Sequence, residues 1–191
     1  MVAKGEIIKT TYSGKVLLCM KFMDVSDIFL ITGNSMAPLL QKSRDAVVIE
    51  KVDFSNLKKN DIILFKVTEN PVSDIVCHRI YKVKPSVEKV LEKGDHHFKV
   101  SEVKKAEYIG KVILILKNGV PYDLNEPRNR MINRILGILV HIYHLKTLLY
   151  LFFHKETTID MMCKDKCFRD RYFYSYKIIA NYFIQFMVSK K

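Results

Sequence analysis

Three short segments of this sequence carry side chains that could together perform nucleophilic catalysis. Ser35 follows Gly33-Asn34 just after an apolar run, and a serine on such a tight turn would be exposed on a rigid base. His78 lies in the middle of an alternating apolar segment, where a neutral imidazole able to accept the serine proton is favoured. Asp95 follows a glycine, and its carboxylate could turn inward to fix the tautomer of the imidazole. The three segments therefore predict Ser35 as nucleophile, His78 as general base and Asp95 as orienting acid.

The turn that carries Ser35 also offers a place for the negative charge that develops during acyl transfer. Gly33 is expected to permit the turn and to leave room for a substrate carbonyl near the Ser35 N–H, the expected oxyanion donor. Taken singly, each segment has a structural interpretation without chemistry. These are a plain Ser-Met-Ala-Pro loop, a core histidine on a strand and a common Gly-Asp turn.

The elements that must position these residues are mostly strands. Residues 28–124 contain short runs rich in β-branched residues, separated by turn residues, and Asn118-Gly119 is a hairpin signal. This region is predicted to be one mainly-β domain, preceded by an N-terminal arm at 1–27. The runs expected to form strands are 28–32, 46–52, 62–67, 75–83 and 110–116.

The pattern changes to a helical period in the C-terminal extension, 125–191. From Asn129 onward a broad apolar face is predicted, with Arg134, Gly137, His141 and His144 on the opposite, wetter stripe. A second helix rich in Tyr and Phe is predicted at 171–188, with 161–170 as a charged connector. The fold class expected for the whole chain is mainly β with an amphipathic α-helical C-terminal extension.

In this order the segments resemble signal peptidase I, in the branch found in the endoplasmic reticulum, archaea and some sporulating bacteria. The resemblance covers about residues 28–116 and rests on four short motifs, here called boxes. The first box, Gly33–Leu40, carries the nucleophile, and the second, Lys59–Phe65, corresponds to the following strand. The third box, Cys77–Ile80, has histidine where other members have lysine, and the fourth, Lys93–Asp95, supplies the acid. It implies a β-fold shared with self-cleaving repressor peptidases. It also implies a Ser–His–Asp or Ser–His site that cleaves signal or leader peptides after small residues.

Three features depart from the family pattern. The branch often has a further Asp a few residues past its Lys-Gly-Asp, whereas the nearest residues here are Ser101 and Glu102. Relatives usually begin with a transmembrane anchor, whereas the first apolar run here, 16–20, is short and flanked by lysines. Relatives often have a hydroxyl residue at the position of Gly33, so a second oxyanion donor is expected from the main chain or from Thr32. A catalytically inactive, peptide-binding descendant of the same fold is therefore the alternative function.

The charge and the cysteine and histidine content of the sequence restrict the kinds of partner and cofactor that are expected. The net charge of +12 favours anionic partners. The basic residues are dispersed and match no nucleic-acid-binding motif, so a nucleic-acid-binding module is the weakest interpretation. The four cysteines match no zinc or redox spacing, and the histidines at 96, 97, 141 and 144 lack the Cys or acid that would complete a ligand set. No metal or other cofactor is expected, and a peptide or precursor protein is the expected substrate.

One segment suggests contact with a membrane. Residues 135–153 are apolar and long enough to span a bilayer, but Lys146 lies near the middle and two histidines lie beside it. Three outcomes are open: packing on the β-domain or a partner, lying in the membrane interface, and a true span. Peripheral or interfacial membrane association is the predicted localisation.

Overall fold

The structure, a computed structural model, describes residues 28–69, 72–154 and 156–188. The predicted N-terminal arm, 1–27, lies outside the described residues. The predicted β-region forms one antiparallel sheet of eight strands. The strands are β1 (Ile28–Leu30), β2 (Asp45–Glu50), β3 (Ile62–Glu69), β4 (Val72–Lys84), β5 (Lys89–Lys93), β6 (Ser101–Lys104), β7 (Tyr108–Lys117) and β8 (Val120–Asp123).

Sheet order brings distant parts of the chain together. The strands follow one another as β1-β2-β7-β3-β4-β5-β6, and β8 pairs with β7. Asn118 and Gly119 adopt positive φ angles of 49° and 80°, as a two-residue hairpin turn requires, so the hairpin predicted there is confirmed. Short 3-10 helices occur at Phe54–Asn56, Pro85–Val87 and Lys105–Glu107.

Four helices form the C-terminal region: α1 (Pro127–Phe153), α2 (Ile159–Lys164), α3 (Lys166–Tyr172) and α4 (Tyr174–Val188). The long first helix confirms the predicted period, but the predicted connector 161–170 is helical instead. Its charged composition obscured two N-caps. Thr158 accepts a hydrogen bond from the Met161 N–H and Asp165 accepts one from the Phe168 N–H, which starts α2 and α3 separately.

The core lies on both faces of the sheet. One cluster joins one sheet face to the nucleophile turn and the helices, and includes Leu40, Ile62, Leu136 and Tyr176. A second cluster on the other face includes Ile63, Phe65, Ile80, Val90 and Val103. Adjacent β3 residues thus serve opposite faces, as period-two alternation demands.

Three of the four residues of the polar stripe predicted for α1, namely Gly137, His141 and His144, pack inward, which corrects the prediction that they lie on the wetter side, whereas Arg134 is exposed. Gly137 is buried against Asn60 of the sheet domain. His141 and His144 are half-buried and pack edge-on against the Tyr81 ring, with ring centroids 4.2 and 5.0 Å away. The reason is that the sheet domain offers polar and aromatic partners at this point, so these three residues pack inward.

The coarse fold class predicted from the sequence is confirmed. An antiparallel sheet lies between residues 28 and 123, and a helical region follows it.

Candidate active site

Ser35, His78 and Glu92 form a continuous hydrogen-bonded chain. His78 Nε2 lies 2.8 Å from Ser35 Oγ, and His78 Nδ1 lies 2.5 Å from Glu92 Oε2. The side chains of His78 and Glu92 are only 13% and 6% exposed, whereas Ser35 is half-buried and open to one side. This is the geometry in which a base can take a proton from a serine while an acid holds the base.

The chain of bonds also fixes the imidazole tautomer. An ionised carboxylate only accepts hydrogen bonds, so Nδ1 of His78 must carry the proton that points to Glu92. In the neutral ring Nε2 is then the acceptor, and the Ser35 hydroxyl donates to it. The ring is further restrained by Phe65, whose ring centroid lies 6.0 Å away in an edge-on arrangement.

The turn that carries Ser35 is anchored from behind. Met36, Leu39 and Leu40, which follow the serine, are 2%, 2% and 0% exposed and belong to the main core. Lys117 donates to the Leu39 carbonyl at 2.9 Å and pairs with the buried Asp45 at 3.0 Å. Because the serine itself stays half-exposed above these contacts, the turn presents Ser35 Oγ on a rigid base, as predicted.

The predicted oxyanion region is open. The Ser35 N–H has no hydrogen-bond acceptor among the residues that the structure describes. Gly33 is exposed and does not adopt a positive φ, and an added Cβ would meet no atom within 4 Å. The turn therefore does not need glycine for its conformation, which corrects that part of the prediction, but there is free space for a substrate carbonyl.

Asp95 does not contact His78, and this corrects the predicted site. Its carboxylate instead accepts two hydrogen bonds of 2.7 Å from Arg79, one from Nε and one from Nη2. Both side chains are almost fully buried. Burial by itself lowers the pKa of Arg79, but the charge and hydrogen bonds of Asp95 outweigh this effect and raise it. Asp95 is therefore committed to a buried ion pair.

A bulge in β4 explains why Glu92 takes the place expected for Asp95. In the hairpin of β4 and β5, Lys82 pairs with Leu91, but Ile80 pairs with Glu92, so Tyr81 is left unpaired. Without this extra residue, His78 would lie opposite Asp95. The one-residue shift reverses the faces, and Glu92 becomes the diagonal neighbour of His78 on the same side of the sheet.

Gly94 lets the chain after β5 approach the nucleophile closely. A Cβ at Gly94 would lie 2.8 Å from the Ser35 carbonyl oxygen and 3.1 Å from His78 Nε2. The next turn also bonds to the serine, because the His96 N–H donates to the Ser35 carbonyl at 2.7 Å. The segment predicted to supply the acid thus holds the nucleophile in place through its main chain.

The helical region contacts β4 through Arg79, the residue next to His78, and so supports the site from the face of the strand opposite His78. Arg79 Nη1 donates to the Asn133 side chain at 2.6 Å, and Asn133 donates in turn to the Asn60 carbonyl at 3.1 Å. The unpaired Tyr81 packs against α1 as described above. No motif in the sequence marks Asn133 as a contributor to the site, because it lies in a helix more than fifty residues from His78.

A lysine is also close, but it is held elsewhere. Lys93 pairs with Arg79 in the strand register, on the face of β5 opposite Glu92, and its Nζ donates to the His97 carbonyl. Burial lowers the pKa of Lys93 to about 8, an effect that the negative charges of Asp95 and Glu92 partly offset. His78, rather than this lysine, bonds to the Ser35 hydroxyl.

Comparisons with known proteins give no match. No protein-family model, no curated protein and no solved structure is significantly similar to this chain. Function must therefore be argued from the site itself.

Proposed function

We propose that this protein is a serine endopeptidase in which Ser35, His78 and Glu92 form the catalytic triad. The observation that carries the proposal is the pair of hydrogen bonds at His78, 2.8 Å to Ser35 Oγ and 2.5 Å to Glu92 Oε2. In this order the serine, the histidine and the carboxylate match the requirements of acyl transfer.

The geometry supports a two-step hydrolysis. Ser35 Oγ attacks the carbonyl carbon of the scissile peptide bond while its proton passes to His78 Nε2, and Glu92 stabilises the imidazolium that forms. The oxyanion accepts a hydrogen bond from the Ser35 N–H. The C–N bond then breaks, and the His78 proton passes to the leaving amine. Water, deprotonated by the same imidazole, hydrolyses the acyl-enzyme and restores the serine.

The substrate class rests on the resemblance to signal peptidase I. Four boxes occur in the family order, and the nucleophile and base boxes meet in space. On this basis the substrate is an extended signal or leader peptide with small residues next to the cleaved bond. The departure from the family pattern is the acid, which here is Glu92 instead of the aspartate that follows the glycine.

A fluorophosphonate probe, which reacts only with an activated serine, tests the proposal directly. We expect the purified chain to be labelled at Ser35, located by peptide mass spectrometry, and to cleave a peptide with small residues one and three positions before the bond. Ser35→Ala should abolish both signals, whereas Ser86→Ala, at an exposed position outside the site, should change neither.

Absence of labelling and of cleavage in a folded wild-type chain would refute the enzyme. In that case, binding of the same peptide by fluorescence anisotropy would support the alternative of an inactive, peptide-binding descendant. Equal turnover by wild type and Ser35→Ala would refute the nucleophile assignment.

A further inference from the structure

Helix α1 carries a stripe of large apolar side chains that nothing in the described part of the chain covers. The positions recur at steps of three, four and seven, so they lie along one side of the helix. Phe152 and Phe153 at its C-terminal end are the most exposed, at 70% and 75%. The members of this outward stripe are Met131, Ile138, Ile142, Leu145, Leu149, Phe152 and Phe153, each more than half exposed.

The opposite side of the same helix is fixed to the protein. Asn133 bonds to Arg79, and the Tyr143 hydroxyl bonds to Ser175 of α4. Thr147, which is 1% exposed, bonds to the Tyr172 hydroxyl at 3.0 Å. Within the described residues, α1 is the one helix long and apolar enough to cross a membrane. If α1 crossed a membrane, it would lose these contacts with the rest of the protein. The outward stripe must therefore contact its partner while the helix stays packed on the protein along its other side.

The charge of α1 indicates the chemistry of that partner. Between Pro127 and Phe153 the sequence contains three arginines and one lysine but no Asp or Glu. Arg130, Arg134 and Lys146 are exposed, and the whole chain has a net charge of +12. An apolar stripe with cations beside it is the pattern of a helix that lies in the plane of an anionic membrane surface.

We propose that the outward stripe of α1 docks on an anionic lipid surface, with Phe152 and Phe153 inserted below the headgroups. The proposal does not depend on peptidase activity, because no residue of the stripe belongs to the triad. Lipid is favoured over a protein partner because the stripe is flanked by cations and ends in the two phenylalanines, which are 70% and 75% exposed, more than any other member of the stripe. Tyr174 and Tyr182 on α4 are also exposed, at 65% and 70%, and carry amphipathic rings of the kind found at membrane interfaces.

The absence of tryptophan from the chain allows a direct test with a single reporter. In Phe153→Trp, vesicles of phosphatidylcholine with phosphatidylglycerol should shift the emission to shorter wavelength, and lipids brominated near the headgroup should quench it. The matched reporter Val87→Trp, at a position 52% exposed on the sheet domain, should show neither effect. Pure phosphatidylcholine should bind at least about tenfold more weakly, since the electrostatic attraction is lost.

Flotation of the full chain measures how much the two phenylalanines contribute. Phe152→Ser with Phe153→Ser should reduce binding to the anionic vesicles by at least about tenfold. Ile75→Thr with Val87→Thr, a matched loss of two exposed apolar residues elsewhere, should leave it unchanged. Circular dichroism should show all variants folded.

Three results would overturn the proposal. Binding that survives alkaline carbonate would show a spanning helix. Equal loss of binding in both double variants would show that the stripe is not the contact. The absence of both flotation and an emission shift would exclude lipid as the partner. If, in addition, light scattering shows a dimer and the double variant Phe152→Ser with Phe153→Ser is monomeric, the stripe binds a second copy of the chain.

Discussion

Two acidic side chains near His78 differ in function, and exchanging each for its amide separates their roles. Glu92→Gln keeps the size and shape of a side chain that is 6% exposed, so the fold should persist. It removes the negative charge 2.5 Å from Nδ1, which both holds the tautomer and stabilises the imidazolium. We expect kcat to fall by about 10²–10⁴-fold, as orienting acids contribute in triad enzymes, with little change in KM.

Asp95→Asn should act on stability instead. It would leave the buried Arg79 beside a neutral amide that cannot accept both of the hydrogen bonds now accepted by the Asp95 carboxylate. Breaking a buried ion pair costs about 3–5 kcal/mol. For a chain of this length, that corresponds to a decrease in Tm of roughly 6–20 °C.

The two variants are compared by peptide-cleavage kinetics and by thermal unfolding followed by circular dichroism. The expected result is a crossed pattern, in which Glu92→Gln is stable but slow and Asp95→Asn is unstable but, at a temperature where it is folded, close to wild type in kcat. The reasoning is refuted if Glu92→Gln cleaves within about threefold of wild type while a folded Asp95→Asn is inactive. That outcome would restore Asp95 as the orienting acid.

Three further predictions concern single side chains. Gly94→Ala should lower kcat by about 10–100-fold in the peptide assay, because its Cβ would lie 2.8 Å from the Ser35 carbonyl and must displace the nucleophile; unaltered kinetics would show that the contact relaxes freely. His78→Lys should retain less than about 1% of wild-type cleavage at neutral pH, since adjacent Glu92 would keep the ammonium charged; near wild-type rates would contradict this account of the site. Burial first, and then the charges of Lys177 and Arg169, lower the pKa of His96 from 6.5 to about 4. The unfolded chain therefore takes up a proton at His96 more readily than the folded chain does. The free energy of unfolding is highest above pH 6.5 and decreases as the pH falls toward 4. Between about pH 7 and about pH 5 the loss due to His96 alone should be on the order of 2 kcal/mol in urea unfolding, and His96→Gln should reduce the pH dependence by about that amount. An equally steep dependence in the variant would exclude His96 as a source.

Local patterns in the sequence predicted most of the strands, although they did not mark Lys89–Lys93 and Ser101–Lys104, and the pair Ser35–His78, 43 residues apart, was predicted from the order of the boxes that resemble signal peptidase I. Alternation of β-branched residues marks a strand, and a serine after a strand end marks an exposed turn. The choice between Glu92 and Asp95 was not local. It depends on the register of β4 against β5, and the bulge at Tyr81 that sets this register has no distinctive residue type.

The helical region illustrates the same limit. The period of α1 is visible in the sequence, but the direction of each face is not, because the helix is apolar around most of its circumference. Its inward side was decided by particular partners in the sheet domain: Arg79 for Asn133 and Tyr81 for the two histidines. Threonine is a preferred N-cap residue, so Thr158 could have predicted the start of α2, but the charged composition of the segment favoured a connector instead.

The bonds from α1 to β4 have a consequence for the order of events during synthesis. The ribosome makes Ser35, His78 and Glu92 well before Asn133, and domains tend to fold as their residues emerge. Until α1 has emerged, Arg79 lacks its contact with Asn133 and Tyr81 lacks the rings that cover it. We therefore expect a nascent chain to acquire a fully ordered site only after α1 has left the ribosome, which would delay cleavage until that point.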